Sequence, residues 1–428
     1  MEFLLNLFSI NANCCAIRTH ECSISYRALD KKITEKQLSL THQGAFPGKI
    51  VPFVAGENVA SIIMLLALFR MRAIAAPINR RLSKPQIRSI YHHLENIDVA
   101  MPKDACLCLQ TSGSSGIPKM ALLSYSNLYY GAYGSIDKLQ LDKNSSYLLS
   151  LPLHHIAGIV ILFRVFLTNS TLVLPSNNWL RQIRIEKITN LSFVPTQLYR
   201  LLQRCNYNPI PSVTHLLLGG APISPYLYKK IREFQIPVIF SYGMTEMSST
   251  IAMGFDSKHL QILPHREVSI SNSKEILVKG NCLFLGYLAK NSIHSSRGWF
   301  QTKDIGVLSS DGNLHILGRK DRMFISAGEN IYPEMIETAI CTILGIEIAT
   351  VVTIPDPEYG ERMCAFIKTS KTWKESQYME ILRLQLSSLF LPIRLFAMPK
   401  WQTGFLKINY TLLQRIACKS LGIEIGCI

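Results

Sequence analysis

Residues 106–119 read Cys106-Leu107-Cys108-Leu109-Gln110-Thr111-Ser112-Gly113-Ser114-Ser115-Gly116-Ile117-Pro118-Lys119. The opening Cys-Leu-Cys-Leu-Gln run is short and apolar, which predicts a buried strand. The small residues that follow have little to pack with and predict a loop. Ser126 to Leu139 reads as the helix after it. Strand, small-residue loop and helix together are a unit of layered α/β architecture. The glycines let backbone N–H groups approach an anion closely, the hydroxyls add donors, and Lys119 adds charge. The spacing is not that of a Walker A loop, which needs G-x-x-x-x-G-K-[ST]; here the glycines are closer and Lys119 follows a proline.

The same alternation continues on both sides. Val59 to Phe69 is apolar with few breakers and reads as a buried helix. Tyr147–Leu151, Thr171–Leu174, Leu191–Val194, His215–Leu218 and Val238–Phe240 read as short buried strands, with helices at Thr196–Arg204 and Pro225–Phe234 between them. This predicts an α/β fold with a largely parallel sheet. Glu275–Lys279, Trp299–Asp304 and Asn313–Leu317 read instead as antiparallel strands with Gly and Asp-Gly turns. After Gly318-Arg319-Lys320-Asp321 the pattern restarts as a small α+β unit. The expected organisation is a large N-terminal domain of layered sheets and helices over 1–320 and a small C-terminal domain over 321–428.

Composition removes several classes of function. The 428 residues carry 45 Lys+Arg against 29 Asp+Glu, a net charge of +16. That excess invites a polyanion partner, but the basic residues are scattered in pairs such as Lys31-Lys32 and Arg80-Arg81. With no run of five like charges and no zinc-finger or RNP-like motif, a nucleic-acid partner is not expected. The apolar runs at Ile62–Phe69 and Ile156–Phe163 are each stopped by an arginine, well short of the roughly 20 residues of a membrane span. The 11 cysteines show no C-x-x-C spacing and read as ordinary thiols of a reducing compartment, so a cytoplasmic protein is expected. Homo-oligomer formation is left open.

Further segments carry chemistry. Ser25-Tyr26-Arg27-Ala28-Leu29, Leu218-Gly219-Gly220-Ala221-Pro222, Ser241-Tyr242-Gly243-Met244-Thr245-Glu246, Gly298-Trp299-Phe300-Gln301-Thr302-Lys303-Asp304, Gly318-Arg319-Lys320-Asp321 and Ser326-Ala327-Gly328-Glu329-Asn330-Ile331-Tyr332-Pro333 follow one another along the chain. Together with Thr111–Lys119, they resemble, in the correct order, the motifs of the acyl-adenylate-forming enzymes. The resemblance spans roughly residues 20 to 410. It implies a small domain that moves on a hinge at Asp321, with the loop at Gly328 brought to the thiol tunnel of coenzyme A (CoA). It also implies ATP, Mg²⁺ and CoA as cofactor and co-substrates. Thr111, Ser112, Gly113, Ser114, Ser115, Gly116 and Lys119 would cradle phosphates. Gly219, Gly220, Ala221, Tyr242 and Gly243 would line the adenine. Asp304 would accept from the ribose hydroxyls, with Arg319 beside it. Thr245 would meet the phosphates, and Glu246 is the natural Mg²⁺ carboxylate, since Mg²⁺ prefers oxygen ligands beside phosphate.

The family's catalytic lysine usually follows a glycine directly. Here Phe405 follows Gly404 and a lysine comes at Lys407, so Lys407 is the expected residue and Lys400 its rival; Tyr410 stands where the family usually has arginine. Arg322 follows the hinge where an acid is common. Leu151-Pro152-Leu153-His154-His155-Ile156-Ala157-Gly158 is similar to the L-P-L-[FH]-H segment of CoA ligases, which places His155 at the activated carboxylate. Arg164 lies in the apolar run Ile159–Leu167, where a charge is costly unless paired. Its partner is either a second carboxylate on the substrate, which arginine grips bidentately, or an internal Asp or Glu. Within the superfamily the chain most resembles the 2-succinylbenzoate–CoA ligases, whose substrate carries two carboxylates. The alternatives are a ligase for another aryl or medium-chain acid and a non-catalytic nucleotide-binding protein.

Overall fold

The computed structural model describes residues 12–423 except 98, 112–118, 177, 205–209, 290–291, 296–297, 327–328, 344, 357–358, 370–373 and 400–407. The buried strands expected from short apolar runs form the centre of the largest sheet. Thr171–Val173, Ser146–Leu148, Asn190–Phe193, His215–Gly219 and Val238–Met244 lie side by side and pair in parallel. Successive side chains of a strand point to opposite faces, and here both faces are covered. Leu217 and Ile239 enter one apolar core with the helices Val59–Arg70 and Ile156–Thr168. Leu216, Leu218, Val238 and Phe240 enter a second core on the other face. Two-sided burial explains why these strands read as continuous apolar runs instead of alternating ones.

Beyond Val238–Met244 the sheet changes character. Ser249–Asp256, His259–Ile262, Leu314–Arg319, Phe300–Leu308, Glu275–Gly280 and Arg266–Ile270 extend it by antiparallel pairing. The expectation of a largely parallel sheet therefore holds only for its centre. The three strands expected at Glu275–Lys279, Trp299–Asp304 and Asn313–Leu317 all belong to the antiparallel extension. A second, six-stranded sheet begins with the parallel strands Ile50–Ala55, Ile74–Asn79 and Ala105–Thr111.

Residues 105–124 depart from expectation. Their loop joins two antiparallel strands, not a strand and a helix. Ala105–Thr111 pairs with Lys119–Ser124, with Thr111 opposite Lys119, and the helix Tyr125–Ile136 starts only afterwards. The cause is local: Met120-Ala121-Leu122-Leu123 is an apolar run that the six-stranded sheet buries. Ser112 to Pro118 lie outside the described residues.

Strands after residue 323 form a separate sheet of Glu329–Ile331, Phe324–Ser326, Gly360–Thr369, Ile346–Asp356 and Arg394–Ala397. Its two apolar cores draw all their residues from position 324 onward. It faces the helix Pro195–Leu202, where Tyr199 hydrogen-bonds Glu347 and Lys368, which themselves pair at 3.2 Å. Among the described residues no helix is long and apolar enough to cross a membrane.

Candidate active site

Ligands of open α/β sheets bind beyond the carboxyl ends of the parallel strands, and the motif residues gather there. Strand His215–Gly219 ends at Gly219, and the exposed turn Gly220-Ala221 follows. Gly220 has φ +81°, a left-handed conformation that costs glycine little. Strand Val238–Met244 carries Tyr242 and Gly243 and leads into the short 3-10 turn Thr245–Met247. A Cβ at Gly243 would fall 1.8 Å from the Ser249 carbonyl, so the register shift between Tyr242 and Gly243 needs a glycine.

Asp304 is fixed by a chain of polar contacts. It lies in strand Phe300–Leu308 and is 7% exposed. Its N–H donates to Thr302 Oγ1 (3.0 Å), whose hydroxyl donates to the Ile276 carbonyl (2.8 Å). Lys303, just before it, has φ +62°. Buried Glu275 holds that turn, accepting from Lys303 N–H at 3.1 Å and from Lys320 Nζ at 2.7 Å. The Tyr242 hydroxyl donates to Asp304 Oδ2 (2.6 Å), and Arg319 Nη1 pairs with Oδ1 (3.2 Å). Burial pushes the Asp304 carboxyl above its ordinary range, against the pull of Tyr242 and Arg319. Arg319 also grips Asp321 bidentately, at 3.0 and 2.8 Å. One guanidinium thus joins Asp304 to Asp321. Burial works against the charged form of Asp321, but the Arg319 contact outweighs it and lowers that carboxyl.

Next to this group sits Glu246, 7% exposed. Its Oε1 accepts from the Tyr287 hydroxyl at 2.5 Å, and Lys119 Nζ lies 4.9 Å from the centre of the Tyr287 ring. Strand Val238–Met244 and the turn after it carry both Tyr242, bound to Asp304, and Glu246, bound to Tyr287, so one segment serves the two groups. Sequence reading missed Tyr287 because no local pattern marks it. Strand Gly286–Ala289 pairs with Lys119–Ser124 and places Tyr287 opposite Ala121.

The histidine pair divides. His155 is exposed and stands at the N-terminal cap of helix Ile156–Thr168. His154 is partly buried, its ring 4.4 Å from that of His155, and its Nδ1 is buried without a hydrogen bond from or to a described residue. Burial first, then Arg81 and Arg80, push His154 down to about 4.

Arg164 is 1% exposed in that same helix. Its Nε donates to Ser135 Oγ (2.8 Å) and its Nη2 to Thr250 Oγ1 (3.2 Å). Burial lowers its affinity for its proton, and Tyr147 opposes that. The internal ion pair considered as its alternative partner is not found: among the described residues no Asp or Glu lies within ion-pairing distance. Arg322, by contrast, is fully compensated, at 2.8 Å from Glu334 and 2.7 Å from Glu337, with its guanidinium 4.2 Å from the Tyr410 ring centre. The two departures from the family pattern, Arg322 and Tyr410, therefore meet in space. Gly328, Lys400 and Lys407 lie outside the described residues.

The family pattern of AMP-binding enzymes matches residues 94–288. A 2-succinylbenzoate–CoA ligase of Haemophilus influenzae is 32% identical over 425 residues, which is 92% of this chain and 93% of that protein. The chain belongs to the 2-succinylbenzoate–CoA ligase family of AMP-binding enzymes. It is accordingly an AMP-forming acyl-CoA ligase. Wild-type Escherichia coli MenE, solved with an m-phenylether-linked analogue of OSB-AMS, is 26% identical. It superposes with a TM-score of 0.82 over 97% of this chain and 99% of its own. The Bacillus subtilis o-succinylbenzoate CoA synthetase, in complex with the acyl-adenylate intermediate OSB-AMP, shares the fold. Its TM-score is 0.83 at 23% identity, covering 96% of this chain and 97% of that one. The α/β fold expected for the acyl-adenylate-forming enzymes is thus the one observed.

Proposed function

We propose that the protein joins 2-succinylbenzoate to CoA at the expense of ATP, in menaquinone synthesis. In the first step a substrate carboxylate oxygen attacks the α-phosphorus, and pyrophosphate leaves with the electrons of the broken P–O bond. In the second the CoA sulfur, losing its proton, attacks the acyl carbonyl, and AMP leaves. Asp304 accepts from the ribose hydroxyls, Tyr242 and the Gly219-Gly220-Ala221 turn hold the base, and Arg319 adds positive charge near the phosphate. Ser112 to Gly116, Thr111, Thr245 and Lys119 donate to phosphate oxygens, where charge builds in the transition state. His155, exposed at the start of its helix, attends the reacting carboxylate.

Glu246 fits a divalent cation. Its Oε2 accepts no hydrogen bond from a described residue, and the described residues contain no all-protein cage of three or more ligating side chains. Mg²⁺ is commonly held by one or two carboxylates plus substrate phosphates, and it would neutralise phosphate charge there.

The choice of acid rests on one observation, Arg164, a buried cation whose hydrogen-bond partners among the described residues are hydroxyls. The carboxylate left on the benzene ring is its complement. It would reach the guanidinium by displacing the Thr250 hydroxyl, the longer of the two contacts. Residues 1–320 would then be the adenylate-binding domain. Residues 321–428 would turn on Asp321, supplying Lys407 for adenylation and Gly328 to the CoA tunnel. A cytoplasmic location suits the buried free thiols, among them Cys108, which burial pushes up to about 12. ATP–pyrophosphate exchange driven by a panel of carboxylic acids tests the reading. We expect 2-succinylbenzoate to support exchange and Lys407→Ala to abolish it, with Lys400→Ala active. Exchange driven equally by monocarboxylates would refute the assignment of the acid.

A further inference from the structure

Tyr287 belongs to no motif that the sequence offered, yet it touches two of them. Its hydroxyl donates to Glu246 Oε1 at 2.5 Å, and the face of its ring meets the Lys119 ammonium at 4.9 Å. These two groups come from segments that are 127 positions apart in the chain. Each stands where phosphate or its cation is expected.

The tyrosine is itself fixed from three sides. Asn127, in the first turn of helix Tyr125–Ile136, accepts from the N–H of the capping residue Ser124 and donates from Nδ2 to the carbonyls of Asn281 (2.9 Å) and Leu283 (2.8 Å). Ser248 Oγ donates to the Cys282 carbonyl at 3.0 Å. Phe284 N–H donates to the Glu246 carbonyl at 2.8 Å, and the Phe284 ring packs edge-on against Tyr287 with 4.8 Å between centroids. The turn 281–285 is therefore tied to the helix after the phosphate loop and to the backbone of Glu246 itself. Strand pairing with residues 120–122 completes the frame.

We propose that Tyr287 is the positioning residue of the cation and triphosphate subsite. Its hydroxyl occupies Glu246 Oε1 and so presents Oε2 to the metal, while its ring face holds Lys119 over the same phosphates. A carboxylate with one oxygen already bound cannot swing to chelate through both, and it keeps one ligand direction. Partners of a metal ligand act in this way, and their loss typically weakens metal binding about 10- to 100-fold.

The proposal rests on the reading of Glu246 as the metal carboxylate, and its test separates the two. Mn²⁺ binding is followed by electron paramagnetic resonance in the presence of α,β-methylene ATP, which cannot be cleaved. Metal-free AMP binding is measured beside it by calorimetry on the full chain. Tyr287→Phe keeps the ring and removes the donor. We expect it to weaken Mn²⁺ binding by about 10-fold and to leave AMP affinity unchanged. Tyr287→Leu removes the ring as well. It should match the Phe variant for Mn²⁺ and in addition weaken the metal-free ATP analogue by about 2- to 5-fold, the worth of an exposed cation–π contact. Wild-type Mn²⁺ affinity in Tyr287→Phe overturns the proposal. So does a parallel loss of AMP and Mn²⁺ binding, which would make Tyr287 a general structural support. If the wild-type protein itself binds no Mn²⁺ with the analogue, the reading of Glu246 fails and takes the proposal with it.

Discussion

Replacing Arg164 by Met tests the substrate reading most directly. The guanidinium is 1% exposed, and among the described residues it has hydroxyls of Ser135 and Thr250 as hydrogen-bond partners but no carboxylate. A buried charge without a counter-charge carries an uncompensated desolvation penalty. Methionine fills a similar volume without that penalty. Stability should therefore stay level or rise, by about 1–4 kcal/mol at most, as when buried ionic groups are replaced by apolar ones. Activity should move the other way. Removing one partner of a buried charge pair costs about 3–5 kcal/mol. Applied to the ring carboxylate of bound 2-succinylbenzoate, that is a loss of roughly 150- to 5,000-fold in kcat/KM. The assay is CoA-thioester formation with 2-succinylbenzoate and, in parallel, with 4-oxo-4-phenylbutanoate, which has the same reacting carboxylate and no ring carboxylate. The wild-type protein should prefer the dicarboxylate strongly, and the variant should lose that preference while keeping its KM for ATP. A variant that still discriminates between the two acids would refute the reasoning, as would kcat/KM within about threefold of wild type.

Asp304→Asn should raise the Kd for AMP by about 10- to 150-fold, the worth of a hydrogen bond to a charged group (about 1.5–3 kcal/mol); calorimetry giving an unchanged Kd would remove Asp304 from the ribose site. His154 contributes a pH dependence whose sign is fixed by its depressed value. Its folded-state value lies near 4 against an ordinary 6.5, so the unfolded chain binds more protons between those limits. The stability contributed by neutral His154 is complete above pH 6.5 and is lost as pH falls toward 4. Melting temperatures of His154→Gln should consequently change less between pH 7.5 and pH 5 than those of the wild type; equal slopes would show that His154 is not burial-depressed. Gly243→Ala places a methyl 1.8 Å from the Ser249 carbonyl and should destabilise the fold by about 1–3 kcal/mol or more in denaturant titrations.

Asp304, Arg319, Tyr242 and Glu246 were legible in the sequence because the runs that contain them resemble, in order, the motifs of the acyl-adenylate-forming enzymes. Arg164 was legible as an anomaly, a charge inside an apolar helix, but its partner was not. Whether an arginine finds an internal acid depends on which elements pack against its helix, and Ser135 and Thr250 come from a separate helix and a separate strand. The strand Lys119–Ser124, antiparallel to Ala105–Thr111, was not expected; the sequence reads from the loop directly to a helix. An apolar run such as Met120–Leu123 is ambiguous between strand and helix until its sheet partner is known.

The short apolar runs by themselves carried the α/β architecture, and the ordered resemblance of the motifs carried the AMP-forming ligase reading. Those signals survive in one dimension because each depends on neighbours a few residues away. The contacts of Tyr287, the sharing of Arg319 between Asp304 and Asp321, and the meeting of Arg322 with Tyr410 were decided only by tertiary structure. In each of them the partners are brought together by strand register or by the packing of the C-terminal sheet and helices. Register follows from which apolar faces must be buried together, a property of the whole chain and not of any one segment.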